Sequence, residues 1–220
     1  MGHGQVCDMG CGPGQIARYL RDAGIEVRGL DLSPAMVKQA RQLNPEIRFQ
    51  IGDMMKLDFP DQTLAGIVAC YSIVNSPESS LPTVFRGLWG VLRPGGLLLI
   101  SFHIGNEIVH PDEFLGKPVA MKFFFFQPSA ISRKLEAARF SIAEVVEREP
   151  ILPMWSTRAG GHTFLLARLK LGAQRSRDVP KSASDSHFQY VCDSGVFDYK
   201  YCLIIDTILL ARLLQILIGT

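Results

Sequence analysis

The stretch Gln5-Val6-Cys7-Asp8-Met9-Gly10-Cys11-Gly12-Pro13-Gly14 decides the fold, because an apolar run passes without a spacer into three alternate glycines and then into a helical pattern. A short apolar run bounded in this way reads as a buried strand. The D-x-G-x-G-x-G spacing leaves a backbone without side chains against which a ligand can lie, and the helix that follows adds exposed N–H groups at its start. Glycine spacing alone is a weak signal, but here the strand before it and the helix after it are both present. Over Gly14–Ala23 the apolar residues Ile16, Leu20 and Ala23 share one face, and Gly24 follows as the residue that ends the helix. This is the first βα unit of a nucleotide-binding domain.

Outward from that unit the pattern repeats. Val27–Leu30 predicts a second strand, and Ser33-Pro34 an N-cap with proline at the first helical position, with Val37, Ala40 and Leu43 on the buried face of the helix. Arg48–Ile51, Ala65–Tyr71 and Leu97–His103 read as three more strands, the last apolar enough to be covered on both faces. Leu81, Phe85, Leu88 and Leu92 recur at helical spacing before Arg93-Pro94-Gly95-Gly96, which stops that helix and turns the chain into the next strand. A helix at Pro128–Ala138 precedes strands at Ser141–Arg148 and Thr163–Leu169. Alternating strands and helices of this kind make a doubly wound, mostly parallel α/β sheet.

The chain has 220 residues, enough for one such domain with an appendage, and a composition of 47% hydrophobic and 20% charged residues places it among soluble globular proteins. A net charge of +2 supplies no strong field for nucleic acid or anionic lipid, so small-molecule chemistry is expected. Five cysteines at uneven spacings form neither a disulfide framework nor a CxxC pair of zinc-site type, and the N-terminus has no basic-then-apolar leader, so a cytoplasmic protein is expected. Residues 1–170 carry the domain. Residues 171–220 are a polar linker followed by an apolar run, Leu203–Ile218, which is interrupted by Asp206, Arg212 and Gln215 and is shorter than the roughly 20 residues of a membrane span. That tail is either a helix that docks on the domain or on a partner, or an extension with no part in the chemistry.

Two acids stand where a nucleotide would meet them. Asp31 ends the second strand, where a carboxylate can accept both ribose hydroxyls. Asp53 follows the third strand in Ile51-Gly52-Asp53-Met54, where it can accept from an adenine amine with Met54 against the ring; its other reading is a turn aspartate.

The succession VCDMGCGPG, GLDLSPAMV, GDMMKLDFPD, AGIVACYSIVN and LRPGGLLLISFH resembles the class I S-adenosylmethionine-dependent methyltransferases, particularly the small bacterial type that methylates soluble metabolites. The likeness spans nearly all of Gln5–Lys170. It implies a Rossmann-like, seven-stranded sheet whose last strand is antiparallel, here without the helices that relatives carry before the first strand. It implies S-adenosyl-L-methionine as cofactor and a small-molecule methyl acceptor, while the charge and the short apolar run argue for no nucleic acid and no membrane span. Carried over residue by residue, Asp8, Gly10, Cys11, Gly12 and Gly14 would form the loop beside the cofactor's amino-acid part. Asp31 would hold the ribose, Leu32 would border the adenine, and Gly52, Asp53 and Met54 would take its other side. Cys70, Tyr71 and Ser72 would lie near the methionine portion, Tyr71 being equally readable as core.

Methyl transfer from a sulfonium is an in-line displacement, so positioning and exclusion of water supply much of the rate. A base is needed only where the acceptor must lose a proton. The candidates are His103, at the end of the fifth strand, and His110, with Glu107, Asp112 and Glu113 nearby. The insertion Ile104–Gln127, ending in four consecutive phenylalanines, is expected to form part of a substrate wall. Two other readings share features with this one: an NAD-dependent oxidoreductase, which uses the same loop and Asp31, and a non-catalytic domain that binds S-adenosylmethionine and docks through its tail.

Overall fold

The computed structural model describes residues 4–110, 113–114, 117–118, 122–148 and 162–169. Every residue of Val6–Met9 (β1) is buried, as expected of a central strand covered on both faces. The chain continues through α1 (Gln15–Asp22), β2 (Val27–Asp31), α2 (Pro34–Leu43), β3 (Arg48–Ile51), β4 (Leu64–Cys70), α3 (Leu81–Val91) and β5 (Leu92–His103). Four two-residue strands follow: β6 (Ile108–Val109), β7 (Glu113–Phe114), β8 (Lys117–Pro118) and β9 (Phe123–Phe124). Then come α4 (Pro128–Ala137), β10 (Phe140–Arg148) and β11 (His162–Leu169).

The seven long strands form one sheet in the order β10-β11-β5-β4-β1-β2-β3. β1 pairs in parallel with β2 and β4, and β4 in parallel with β5, whereas β11 runs antiparallel between β5 and β10. The expected doubly wound sheet with an antiparallel last strand is the observed one. Strand order reverses between β1 and β4, so the ends of these two strands border the crevice in which open α/β sheets bind ligands.

One face of the sheet is covered by α3 and α4. There Leu81, Val84, Phe85, Leu88, Ile131 and Leu135 join Phe102, Phe140 and Leu165 in the largest core cluster. On the other face α1 contributes Leu20 to a cluster with Val6, Val68 and Leu99, while Ala17 joins Val37, Ala40 and Phe49 from α2 and β3. The start of α2 is as predicted, since Ser33 Oγ accepts from Met36 N at 3.4 Å and Pro34 opens the helix.

Two expectations are corrected. Leu43 is 54% exposed: it is the last residue of α2, past the point where the face with Val37 and Ala40 meets the sheet. Arg93–Gly96 does not separate helix from strand. Helix α3 ends at Val91 and Leu92 already pairs with Leu64; the next paired residues are Leu97 and Gly66, so the four intervening residues bulge out of β5, with Gly95 at φ +78°. At the opposite edge of the sheet, Arg41 donates to the Phe49 carbonyl through Nε (3.1 Å) and Nη2 (2.7 Å).

Among the described residues no helix is long and apolar enough to cross a membrane. Met1, Asp112 and the tail from residue 170 onward lie outside the described residues.

Candidate cofactor site and acceptor wall

The glycine loop is held by its own backbone. Gly10 N and Cys11 N both donate to Leu30 O, at 2.7 and 3.0 Å, which ties the end of β1 to β2. Gly12 N donates to Asp31 Oδ2 at 2.8 Å, and Gly14 N to Cys11 O at 2.9 Å. The three glycines sit at φ +71°, +50° and +88°, where a side chain is strained. Their surroundings differ. A Cβ on Gly10 would collide with Ser72, and one on Gly14 would come within 2.7 Å of the Phe49 ring and 2.9 Å of Asn44 Nδ2. A Cβ on Gly12 would meet nothing within 4 Å. Gly10 and Gly14 are therefore glycines for internal packing, whereas Gly12 presents bare backbone to open space.

Two carboxylates flank this loop. Asp8 is buried at the end of β1, and its Oδ2 accepts from Ala17 N at 3.0 Å in the first turn of α1. Burial pushes its carboxyl up to about 7, against the effect of the Ala17 hydrogen bond, with the nearby Asp31 charge adding to the rise. Asp31 is half-buried and spends one oxygen on Gly12 N and the other on Ser33 N, each at 2.8 Å. A carboxylate oxygen has a second lone pair, so both remain able to accept a hydroxyl. Burial also raises the thiols of Cys7 and Cys11, keeping them protonated.

At the end of β3, Gly52 N donates to Asp31 O at 3.0 Å, which sets Gly52 and Asp53 beside Asp31. Asp53 is exposed, and its Oδ1 accepts from Met55 N at 2.8 Å. One of its oxygens thus serves the turn, as the alternative reading had it. Met54 packs partly against the main core, and Leu32 is 67% exposed next to Asp31.

Across the crevice, β4 ends at Cys70, which is half-buried against the cluster around Leu20 and Val68. Tyr71 then takes a left-handed backbone, φ +49°, which redirects the chain into the 3-10 turn Ile73–Asn75. Ser72 is thereby set against Gly10; its Oγ is buried and has no partner among the described residues. The Tyr71 ring lies 4.9 Å from the His103 ring and the Phe125 ring 5.0 Å from it, both tilted by 34°. His103 is thus in contact with two aromatic rings. Sequence reasoning named Tyr71 and His103 but missed Phe125 as their partner. The phenylalanine run does carry a signal, since Phe123, Phe125 and Phe126 are all buried and Phe126 packs edge-on to Phe102.

His110 is not part of that stack. It is exposed at the end of β6 and, with Glu107, Ile108 and Val109, lines an open cleft of about 480 Å³. Glu107 Oε2 accepts from Asn106 N at 2.9 Å. Of the other two acids, Glu113 lies in β7 and Asp112 is outside the described residues.

A methyltransferase-domain family model matches residues 6–96, which run from β1 into the bulge of β5. Residues 6–96 thus carry a methyltransferase domain, and the chain is similar to the class I S-adenosylmethionine-dependent methyltransferases. This decides between the two nucleotide-binding families that share the loop and Asp31, and it makes S-adenosyl-L-methionine the family's cofactor. A malonyl-[acyl-carrier protein] O-methyltransferase of Serratia marcescens is 38% identical over 98 residues, covering 44% of this chain and 37% of that protein. A 2-methyl-6-phytyl-1,4-hydroquinone methyltransferase of Synechocystis is 30% identical over 166 residues, covering 68% of this chain and 51% of that protein. The chain therefore spans between about a third and a half of the length of these two relatives. Among solved structures, an S-adenosylmethionine-dependent methyltransferase from Methanosarcina mazei superposes with a TM-score of 0.65 at 16% identity, covering 75% of this chain and 92% of that one, a likeness of fold.

Proposed function

We propose that this methyltransferase-family domain binds S-adenosylmethionine over Gly12 and transfers its methyl group to a small-molecule acceptor held at the ends of β4 and β5. The observation that carries the reading is the state of the loop's amides and acids. The N–H groups of Gly10, Cys11, Gly12 and Gly14 each already have a protein acceptor, and Asp8 and Asp31 flank them. A dinucleotide's pyrophosphate needs free N–H donors in the loop. A ligand bearing a sulfonium and an ammonium suits this acidic loop instead. The buried Ser72 hydroxyl, without a partner among the described residues, and the open space over Gly12 fit the same ligand.

In this reading Asp31 accepts the ribose hydroxyls, while Leu32, Gly52, Asp53 and Met54 border the adenine. Asp8, Gly10, Cys11, Gly12 and Gly14 shape the amino-acid end, and Cys70, Tyr71 and Ser72 close the methionine side. The cofactor supplies an activated methyl carbon for in-line displacement, so the chain's part is to align the acceptor and to keep water out. Phe125, His103 and Tyr71 form an aromatic wall suited to that, and His103 is placed to take a proton from an acceptor that carries one. His110, exposed just after β6, belongs to the outer rim.

Titration calorimetry with S-adenosylhomocysteine and with NAD tests the reading. Binding of the first and not of the second is expected; heat from NAD alone overturns it. An acceptor panel of carboxylic acids, phenols and hydroquinones, followed by mass spectrometry for a 14-Da gain, the mass of one CH₂ unit, then separates a transferase from a domain that only binds. Absence of any methylated product alongside normal S-adenosylhomocysteine binding would favour the non-catalytic alternative.

A further inference from the structure

Ser101 lies in the middle of the crevice's architecture without reaching the crevice. It is fully buried on β5, opposite Cys70, the last residue of β4. The next residue, Tyr71, donates its single backbone N–H to two oxygens of Ser101 at once: the carbonyl at 3.1 Å and Oγ at 3.1 Å. Tyr71 is one of only three described non-glycine residues with positive φ, at +49°. A bulky side chain in that region is strained and persists only where its surroundings hold it.

What this one residue sets is considerable. The left-handed turn at Tyr71 aims its ring at His103, and it delivers Ser72 against Gly10, where a Cβ would collide. The two walls of the crevice meet at a single backbone conformation. We propose that Ser101 is a positioning residue: its hydroxyl holds Tyr71 left-handed and so keeps the loop side and the aromatic side of the site in register. A serine carbonyl alone would continue the ladder; the second acceptor is what a strand residue does not ordinarily provide, and it falls on the strained residue. The role of the walls rests on the reading of the preceding subsection, whereas the hold of Ser101 on Tyr71 does not.

The test uses the full chain with ¹³C-labelled histidine, the His103 ring resonance being assigned by its loss in His103→Gln. Neighbouring rings displace that resonance, so it reports the stack directly. In Ser101→Ala it should move toward the position of an exposed histidine, and in Ser101→Thr, which keeps the oxygen, it should stay. Calorimetry with S-adenosylhomocysteine gives a second reading: Ser101→Ala should weaken binding about fivefold, the scale of one lost hydrogen bond. In a Tyr71→Gly background, where left-handed backbone is free of strain, the same change should matter by less than about twofold. An unmoved His103 resonance in Ser101→Ala, or an equal loss in both backgrounds, overturns the proposal. If the unaltered chain fails to bind S-adenosylhomocysteine, the functional reading falls, and the His103 resonance still decides the role of Ser101.

Discussion

The two sides of the crevice are built by different means. On the β1–β2 side each loop amide is fixed to a backbone carbonyl or to Asp31, and the glycines at 10 and 14 are packed so closely that no side chain fits. On the β4–β5 side the shape is made by rings: Tyr71 on His103 on Phe125, hung from one strained residue and an aromatic hairpin. A site made of backbone tolerates little change and suits a ligand common to a whole family. One made of side chains can be re-cut by substitution, and on the reading proposed above that is where an acceptor's identity would be written.

The largest expected effect lies on the rigid side. Gly10→Ala adds a strained φ and a collision with Ser72, and should lower stability by about 3 kcal/mol. Urea denaturation measures it, and an unshifted midpoint would mean that the loop has slack. Gly12→Ala is its counterpart: with open space beside it, the cost in stability should be only about 1 kcal/mol, while S-adenosylhomocysteine binding suffers more.

Next comes the buried acid. The native state keeps the Asp8 proton up to about 7, whereas an unfolded chain releases it near 3.8. Between those values the native state binds more protons, so this group's contribution to stability falls as pH rises and levels off above the native value. Asp8→Asn removes that slope. Its stability relative to the unaltered chain should therefore increase from pH 4 to pH 7, by an amount on the order of a few kcal/mol. Parallel denaturation curves at several pH values check this; a constant difference would place Asp8 in contact with solvent.

Asp31→Ala should weaken S-adenosylhomocysteine binding by about 1.5–3 kcal/mol, because hydroxyl contacts go unmade and Gly12 N loses its acceptor. An unchanged dissociation constant would remove Asp31 from the ribose. The smallest effect on binding is expected at the soft side: His103→Gln should leave S-adenosylhomocysteine affinity within about twofold while lowering transfer to a protic acceptor roughly a hundredfold or more. Equal losses in binding and turnover would move His103 from the acceptor wall to the cofactor.

The same division governs what the sequence discloses. Strands, the Ser33-Pro34 cap and the loop are local events, written in consecutive residues, and β1 through β4 fall within about one residue of where periodicity puts them. Leu43 and Leu92 escape because helical spacing does not say where a helix leaves the core or becomes a strand. The aromatic stack escapes for a different reason: Tyr71, His103 and Phe125 come from separate segments, and only the pairing of β4 with β5 and of β6 with β9 brings them together. Ser101 carries no local signal at all, since a serine in an apolar strand reads like any other buried small residue until its partner is known.

At the far border of the sheet a quieter device guards the molecule. β3 is the last strand in its direction, and an unpaired strand flank is a template on which another chain can add itself. Arg41 reaches over from α2 and occupies the Phe49 carbonyl with two N–H groups, while the charged Arg48 stands exposed one residue earlier. An incoming strand would have to displace a charge-assisted bond and bury a cation. The guanidinium thus makes this stretch of the edge, beside Asp31 and Gly52, an unfavourable place for a further strand to pair.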